Sequence, residues 1–314
     1  MAMTRCGVTR MSKTVFVTGA YGFLGRHVAR AAAMAGDRVI GFGHGRWSAG
    51  PAMAWGVSQW IAGDIAEVAL AASALVPDVI YHCAGSGSVA VSLDDPRRDF
   101  DRNVCATREV LEFMRRHAPL AALVLPSSAG VYGETGELPI SIGRPTRPLS
   151  PYGMHKLMAE QICRSYGTNF GVRCAIVRYF SIYGPELRKQ LLWDACNRLS
   201  AGDTTFGGTG DETRDWLHVS DAASLMLAAA AFAGADCPTV NGATGTAVAI
   251  RTIVAAIARE IGGGKAQFSG ERRPGDPLHY RADISEATAW GWAPEVEIEQ
   301  GLLEFVTWYK RHCQ

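Results

Sequence analysis

Short apolar runs alternate with helical patterns along the first half of the chain. The runs cover Lys13–Val17, Arg38–Phe42, Gln59–Ala62, Asp78–Cys83, Ala121–Pro126 and Arg173–Phe180, each of strand length and most bounded by glycine, proline or polar residues. Between them, apolar positions recur at helical spacing, notably over Arg26–Ala35, Arg97–His117 and Pro151–Phe170. Strands alternating with helices imply right-handed crossovers, so the pattern predicts an α/β fold with a doubly wound, Rossmann-type parallel sheet covered on both faces. Beyond Pro185 the pattern changes to short strands, glycine turns and three clear helices, Ser220–Ala233, Ile250–Gly262 and Gln300–Arg311. That half reads as a smaller α/β lobe. Trp216–Val219 and Thr239–Asn241 are apolar enough to return to the main sheet.

The first apolar run leads into Thr18-Gly19-Ala-Tyr-Gly22-Phe23-Leu24-Gly25 and then a helix. Glycines at 19, 22 and 25 allow a tight turn, close approach to a pyrophosphate and close packing of helix on strand, although their spacing is three and three rather than G-x-G-x-x-G. The expected division is an extension over 1–12, a dinucleotide-binding domain over 13–180 and a second lobe over 181–314, with recrossing near 214–242. Ligands in such sheets sit beyond the carboxyl ends of the strands. Asp64 and Ile65 follow the third strand, where Asp64 can accept from an adenine amino group. Cys83, Ala84 and Gly85 follow the fourth and are small enough to lie against ribose or adenine, and Asn103 comes early in the next helix.

The end of the second strand, Gly41-Phe-Gly43-His44-Gly45-Arg46, lacks the carboxylate that would bind a ribose 2′-OH. His44 and Arg46 can meet a phosphate instead, which leans the cofactor towards NADP, or tolerance of NADP and NAD. Farther on, Tyr152-Gly-Met-His-Lys156 sets a phenol and an ammonium four residues apart on one helical face. An ammonium beside a phenol favours the phenolate, so Tyr152 is a candidate to carry a proton near neutral pH.

Composition narrows the partners. With 31 basic and 30 acidic residues among 314, the net charge of +1 gives no general attraction to nucleic acid or membrane. No apolar run approaches the roughly 20 residues that span a bilayer. Residues 1–12 are polar and mildly basic, unlike a signal peptide. The eight cysteines are scattered without metal-ligand spacing, so the expectation is reduced thiols, no metal and a cytoplasmic location.

These motifs, with Gly63-Asp64-Ile65, His82-Cys83-Ala84-Gly85, Ser127-Ser128-Ala-Gly-Val-Tyr132-Gly133, Ser150-Pro-Tyr152-Gly-Met-His-Lys156, Arg178-Tyr179-Phe-Ser181-Ile-Tyr-Gly184-Pro185, Thr213-Arg214-Asp-Trp-Leu-His218-Val and Arg273-Pro-Gly-Asp276, span nearly the whole chain. In them the sequence resembles the extended short-chain dehydrogenase/reductases, specifically the nucleotide-sugar epimerase/dehydratase group. The resemblance implies that Ser128 holds a substrate oxygen, Tyr152 exchanges its proton, and Lys156 binds the nicotinamide ribose and lowers the tyrosine pKa. It implies that Tyr179 lies with the cofactor, and that Ser181, Arg214, Arg273 and Asp276 hold a nucleotide-diphosphate sugar. It also implies a homodimer formed through the Arg97–His117 and Pro151–Phe170 helices.

Two departures bear on the reaction. The family's dehydratases carry an Asp-Glu pair after the catalytic hydroxyl residue, where this chain has Ala129-Gly130, so 4,6-dehydration is disfavoured. Many epimerases have asparagine at Ser181. The leading expectation is an NAD(P)-dependent 4-epimerase that transiently oxidises C4, with an NADPH-dependent 4-ketoreductase as the alternative and a non-catalytic dinucleotide sensor behind both.

Overall fold

Side-chain alternation along each strand sorts the core into two layers. In β1 (Thr14–Thr18), Val15 and Val17 join one layer and Phe16 the other, all three fully buried. The structure, a computed structural model, describes residues 11–271 and 278–313. Strands β2 (Arg38–Gly43), β3 (Val57–Ala62), β4 (Val79–His82), β5 (Ala122–Ser128) and β6 (Arg173–Tyr179) follow, then the shorter β7 (Ser181–Tyr183), β8 (Thr205–Phe206), β9 (Thr213–His218), β10 (Thr239–Gly242), β11 (Ala247–Ala249) and β12 (Gln267–Phe268). The main sheet is parallel throughout, in the order β10-β6-β5-β4-β1-β2-β3.

The helices are α1 (Phe23–Met34), α2 (Ala49–Ala54), α3 (Glu67–Ala71), α4 (Val89–Asp94), α5 (Pro96–Phe100), α6 (Ala106–His117), α7 (Pro151–Phe170), α8 (Gln190–Ser200), α9 (Val219–Ala229), α10 (Ile250–Ile261), α11 (Ser285–Ala289) and α12 (Ile298–Cys313). Val28, Ala29 and Ala32 of α1 share one layer with Ala222, Leu225 and Met226 of α9. The opposite layer joins Leu111 and Phe113 of α6 to Ala159 and Cys163 of α7. A separate core, built from Leu192, Ile253, Phe305 and Trp308, holds α8, α10 and α12 together as a second cluster.

Two expectations change. Thr239–Gly242 does return to the main sheet, as its edge strand β10. The stretch from Trp216, however, belongs to β9, which pairs with β7 and β11 in a separate three-stranded sheet, and Val219 already begins α9. The expected helix over Arg97–His117 is interrupted by a π-helical turn at Asp101–Cys105. Side chains there compete for backbone carbonyls: Asn103 Nδ2 donates to Asp99 O at 3.1 Å and Thr107 Oγ1 to Asn103 O at 2.6 Å.

Candidate active site

A cleft of about 1310 Å³ runs from the carboxyl ends of β1, β4, β5 and β6 to the second lobe. Gly22, Phe23, Leu24 and Gly25 line one end. The loop they form is fixed by close approach: Gly19 has φ +67°, and a Cβ there would lie 2.6 Å from Ala84 N. A Cβ on Gly25 would strike the Gly19 carbonyl. Helix α1 starts at Gly22 with no side-chain cap and no acidic residue in its first turn. Its first N–H groups are thus available to an anion, and a nicotinamide dinucleotide fits this donor set.

Cys83, Gly85, Ser128, Tyr152, Lys156 and Tyr179 line the middle of the same cleft. Ser128 ends β5, and its Oγ accepts from Gly130 N at 3.1 Å. Ser150 caps α7 by accepting from Gly153 N at 3.1 Å, with Pro151 pre-shaped for the first turn. Tyr152 therefore sits in that first turn, its backbone N–H donating to Ser92 Oγ at 3.1 Å. One turn on, Lys156 Nζ donates to Pro126 O at 3.1 Å and lies 6.0 Å from the centre of the Tyr152 ring.

The charge states differ from the sequence expectation. Burial pushes the Tyr152 phenol up, with Ser128 opposing it and Asp99 adding to it. Burial also lowers Lys156, from 10.5 to about 8, against the pull of Asp99, Cys83 and Glu160. Desolvation penalises both charged forms at once, so the protein alone does not set up a phenolate.

Buried polar pairs brace these groups from behind. His155 Nδ1 meets Asp99 Oδ2 at 2.6 Å, and Asn103 Nδ2 donates to Asp99 Oδ1 at 3.2 Å. Asn103 lies under Gly85, and its buried Oδ1 has no hydrogen-bond partner among the described residues. Glu160 accepts from Arg178 at 2.9 and 2.7 Å and from Ser127 Oγ at 2.6 Å. Arg178 in turn stands 4.9 Å from the centre of the Tyr132 ring, whose hydroxyl donates to Asn241 Oδ1 at 2.7 Å. The Tyr179 hydroxyl is committed to Ala222 O at 2.6 Å, so Tyr179 presents its ring rather than its oxygen.

His44, Arg46, Asp64, Ile65, Ala84 and Asn103 are outside the cleft lining. His44 Nε2 meets Asp64 Oδ1 at 2.8 Å, both strongly exposed. Asp64 thereby brings to the end of β2 the carboxylate that the strand itself lacks, which counters the phosphate-facing reading of His44. On the substrate side, Ser181 and Arg214 line the cleft. Arg214 donates to Thr213 O at 2.9 Å and Leu278 O at 3.4 Å. Arg273 and Asp276 lie outside the described residues. Sequence reasoning missed Ser86, Gly87, Glu134, Lys189 and Trp216 in the cleft wall. Of these, Trp216 stood inside a quoted motif, while Lys189 followed one by four residues and carried no signal of its own.

Among the described residues no cluster of histidine, cysteine or acidic side chains could hold a metal ion, and no helix is long and apolar enough to cross a membrane.

Residues 15–241 match the model of the NAD-dependent epimerase/dehydratase family. The chain is 29% identical to a UDP-glucose 4-epimerase of Azospirillum brasilense, over 98% of this chain and 94% of that one. It also resembles the solved structure of a UDP-glucuronic acid 4-epimerase from Bacillus cereus in complex with UDP-glucuronic acid and NAD, at 27% identity and a TM-score of 0.85, covering 95% of this chain and 99% of that one. A UDP-glucose 4-epimerase of Thermotoga maritima shares the fold, with 23% identity and a TM-score of 0.87 over 96% of this chain and 100% of that one.

Proposed function

The chain belongs to the NAD-dependent epimerase/dehydratase family, and on that premise we propose that it is a nucleotide-sugar 4-epimerase working by transient oxidation at C4. The observation that carries this reading is the placement of Ser128, Tyr152 and Lys156 in one cleft, between the glycine loop and the second lobe. A hydride leaves carbon only as the hydroxyl proton is removed. Tyr152 takes and returns that proton, Ser128 holds the oxygen, and Lys156 donates to the cofactor ribose. Gly22 to Gly25 and the α1 N-terminus hold the pyrophosphate. Bound NAD supplies the hydride acceptor, and its ring charge offsets the cost of ionising a buried phenol.

Ala129 and Gly130 after Ser128 offer no acid or base to expel a C6 hydroxyl, which speaks against dehydration. NAD is the cofactor we assign, because Asp64 places a carboxylate beside His44. We assign a homodimer as well, formed where Phe100, Val104, Met154, Leu157 and Met158 make an apolar groove on α5, the π turn and α7. The test is to incubate the protein with NAD and a panel of nucleotide sugars and identify the products. C4 inversion without net use of cofactor supports the reading; stoichiometric consumption of NADPH with a 4-keto sugar overturns it.

A further inference from the structure

Behind the proton-transfer residues, Asp99 of α5 stands at the centre of a buried chain of polar groups. Its Oδ2 meets His155 Nδ1 at 2.6 Å, and its Oδ1 accepts from Asn103 Nδ2 at 3.2 Å. A carboxylate only accepts, so His155 carries its proton on Nδ1. Asn103 Nδ2 also donates to Asp99 O at 3.1 Å. Both amide hydrogens are thus held on the Asp99 side, and the Asn103 oxygen must face the other way. It does: a Cβ on Gly85 would stand 2.8 Å from Asn103 Oδ1 and 3.7 Å from Lys156 Nζ. The carboxamide oxygen and the ammonium flank one point.

The other ionisable groups around Lys156 are already settled. Besides Asp99, these are Cys83 and Glu160, with His82 on the same side of the sheet as Cys83. Glu160 is committed to Arg178 at 2.9 and 2.7 Å. Burial pushes the Cys83 thiol up to about 12 and lowers His82 to about 3, so both are neutral near neutral pH. Asp99 is the remaining negative charge, and what holds it is His155, the residue next to Lys156 on α7.

From this chain of contacts we propose that Asp99, held by His155, is a positioning residue of the site: it keeps Lys156 in its charged form and turns the Asn103 oxygen towards it. Without the His155 N–H, a buried carboxylate is short of a donor, which favours its protonated form. The support for the ammonium is then lost. The consequence for turnover rests on the C4 reading above; the positioning does not.

Lys156 is one of five lysines in the chain, so its ammonium can be titrated by NMR in the NAD-loaded protein carrying isotope-labelled lysine, the signal being identified by its loss in Lys156→Met. His155→Leu is expected to move that titration to lower pH by about one pH unit. His155→Asn keeps an N–H donor near the place of Nδ1 and is expected to stay at the wild-type value. Asp99→Asn removes the charge directly and gives the same downward shift, so the outcome does not depend on His155→Leu folding. A Lys156 titration that is unmoved or raised in these variants, with only the melting temperature lowered, would reduce the pair to packing and overturn the proposal; so would a His155→Asn that shifts as far as His155→Leu. The pH profile of kcat/KM on the same proteins reads the reaction separately: a moved titration with an unmoved alkaline limb keeps the positioning pair and removes the Lys156 ammonium from the C4 chemistry.

Discussion

Tyr152 and Lys156 are adjacent on one helical face, yet burial drives their pKa values towards the two neutral forms. Replacing Tyr152 with phenylalanine removes one hydroxyl and little volume. Turnover is expected to fall by about 10²–10⁴-fold while NAD titration by fluorescence stays near wild type; near-normal turnover would remove Tyr152 from the chemistry. Lys156, lowered to about 8, is charged below that pH and loses its charge as pH rises through it. Activity that needs the ammonium is therefore present below about pH 8 and declines above it. The Asp99 carboxylate is the leading influence opposing burial at Lys156, so Asp99→Asn is expected to move this alkaline limb of kcat/KM to lower pH. An unmoved limb would mean that another group sets it.

Helix α7 carries both the reacting face and its support. Its capped first turn places Tyr152, while Glu160, two turns on, ties the helix to β6 through Arg178 and to β5 through Ser127. Glu160 is fully buried and Arg178 nearly so. Removing one partner of such a pair leaves an uncompensated charge, so Glu160→Ala is expected to cost about 3–5 kcal/mol in urea unfolding. A loss below about 1 kcal/mol, the level of an exposed ion pair, would show that water or another group takes over. The π turn before α6 serves the same region from the other side, because it seats Asn103 beneath Gly85.

At the scale of the whole molecule, the two lobes share the cleft, and an apolar surface remains on the helices behind it. Met154 and Met158 are each 40% exposed and Phe100 is 36% exposed, around a groove whose lining is apolar except for Gln161. A two-fold contact between these helices would cover it. The wild type is expected to scatter light as a dimer at micromolar concentration, and Met158→Asp to shift it towards the monomer by burying an unpaired charge. A monomeric wild type would reject the assembly.

Periodicity and local chemistry were enough to read the parallel sheet, the glycine loop and the helix bearing Tyr152 and Lys156, because each depends on residues close together in sequence. Strand alternation put Val15 and Phe16 in opposite layers whatever the later topology. Tertiary structure alone decided what depends on distant segments meeting. Trp216 joined a small sheet with β7 because its pairing partners, not its apolarity, chose the edge. Asp99 met His155 across 56 residues, and Asp64 met His44 from a neighbouring strand. The phenol and ammonium pKa values turned on how far folding removed each from water, and spacing carries no measure of that. Lys189, silent in the sequence, came to line the cleft only when the start of α8 faced the Gly85–Gly87 loop.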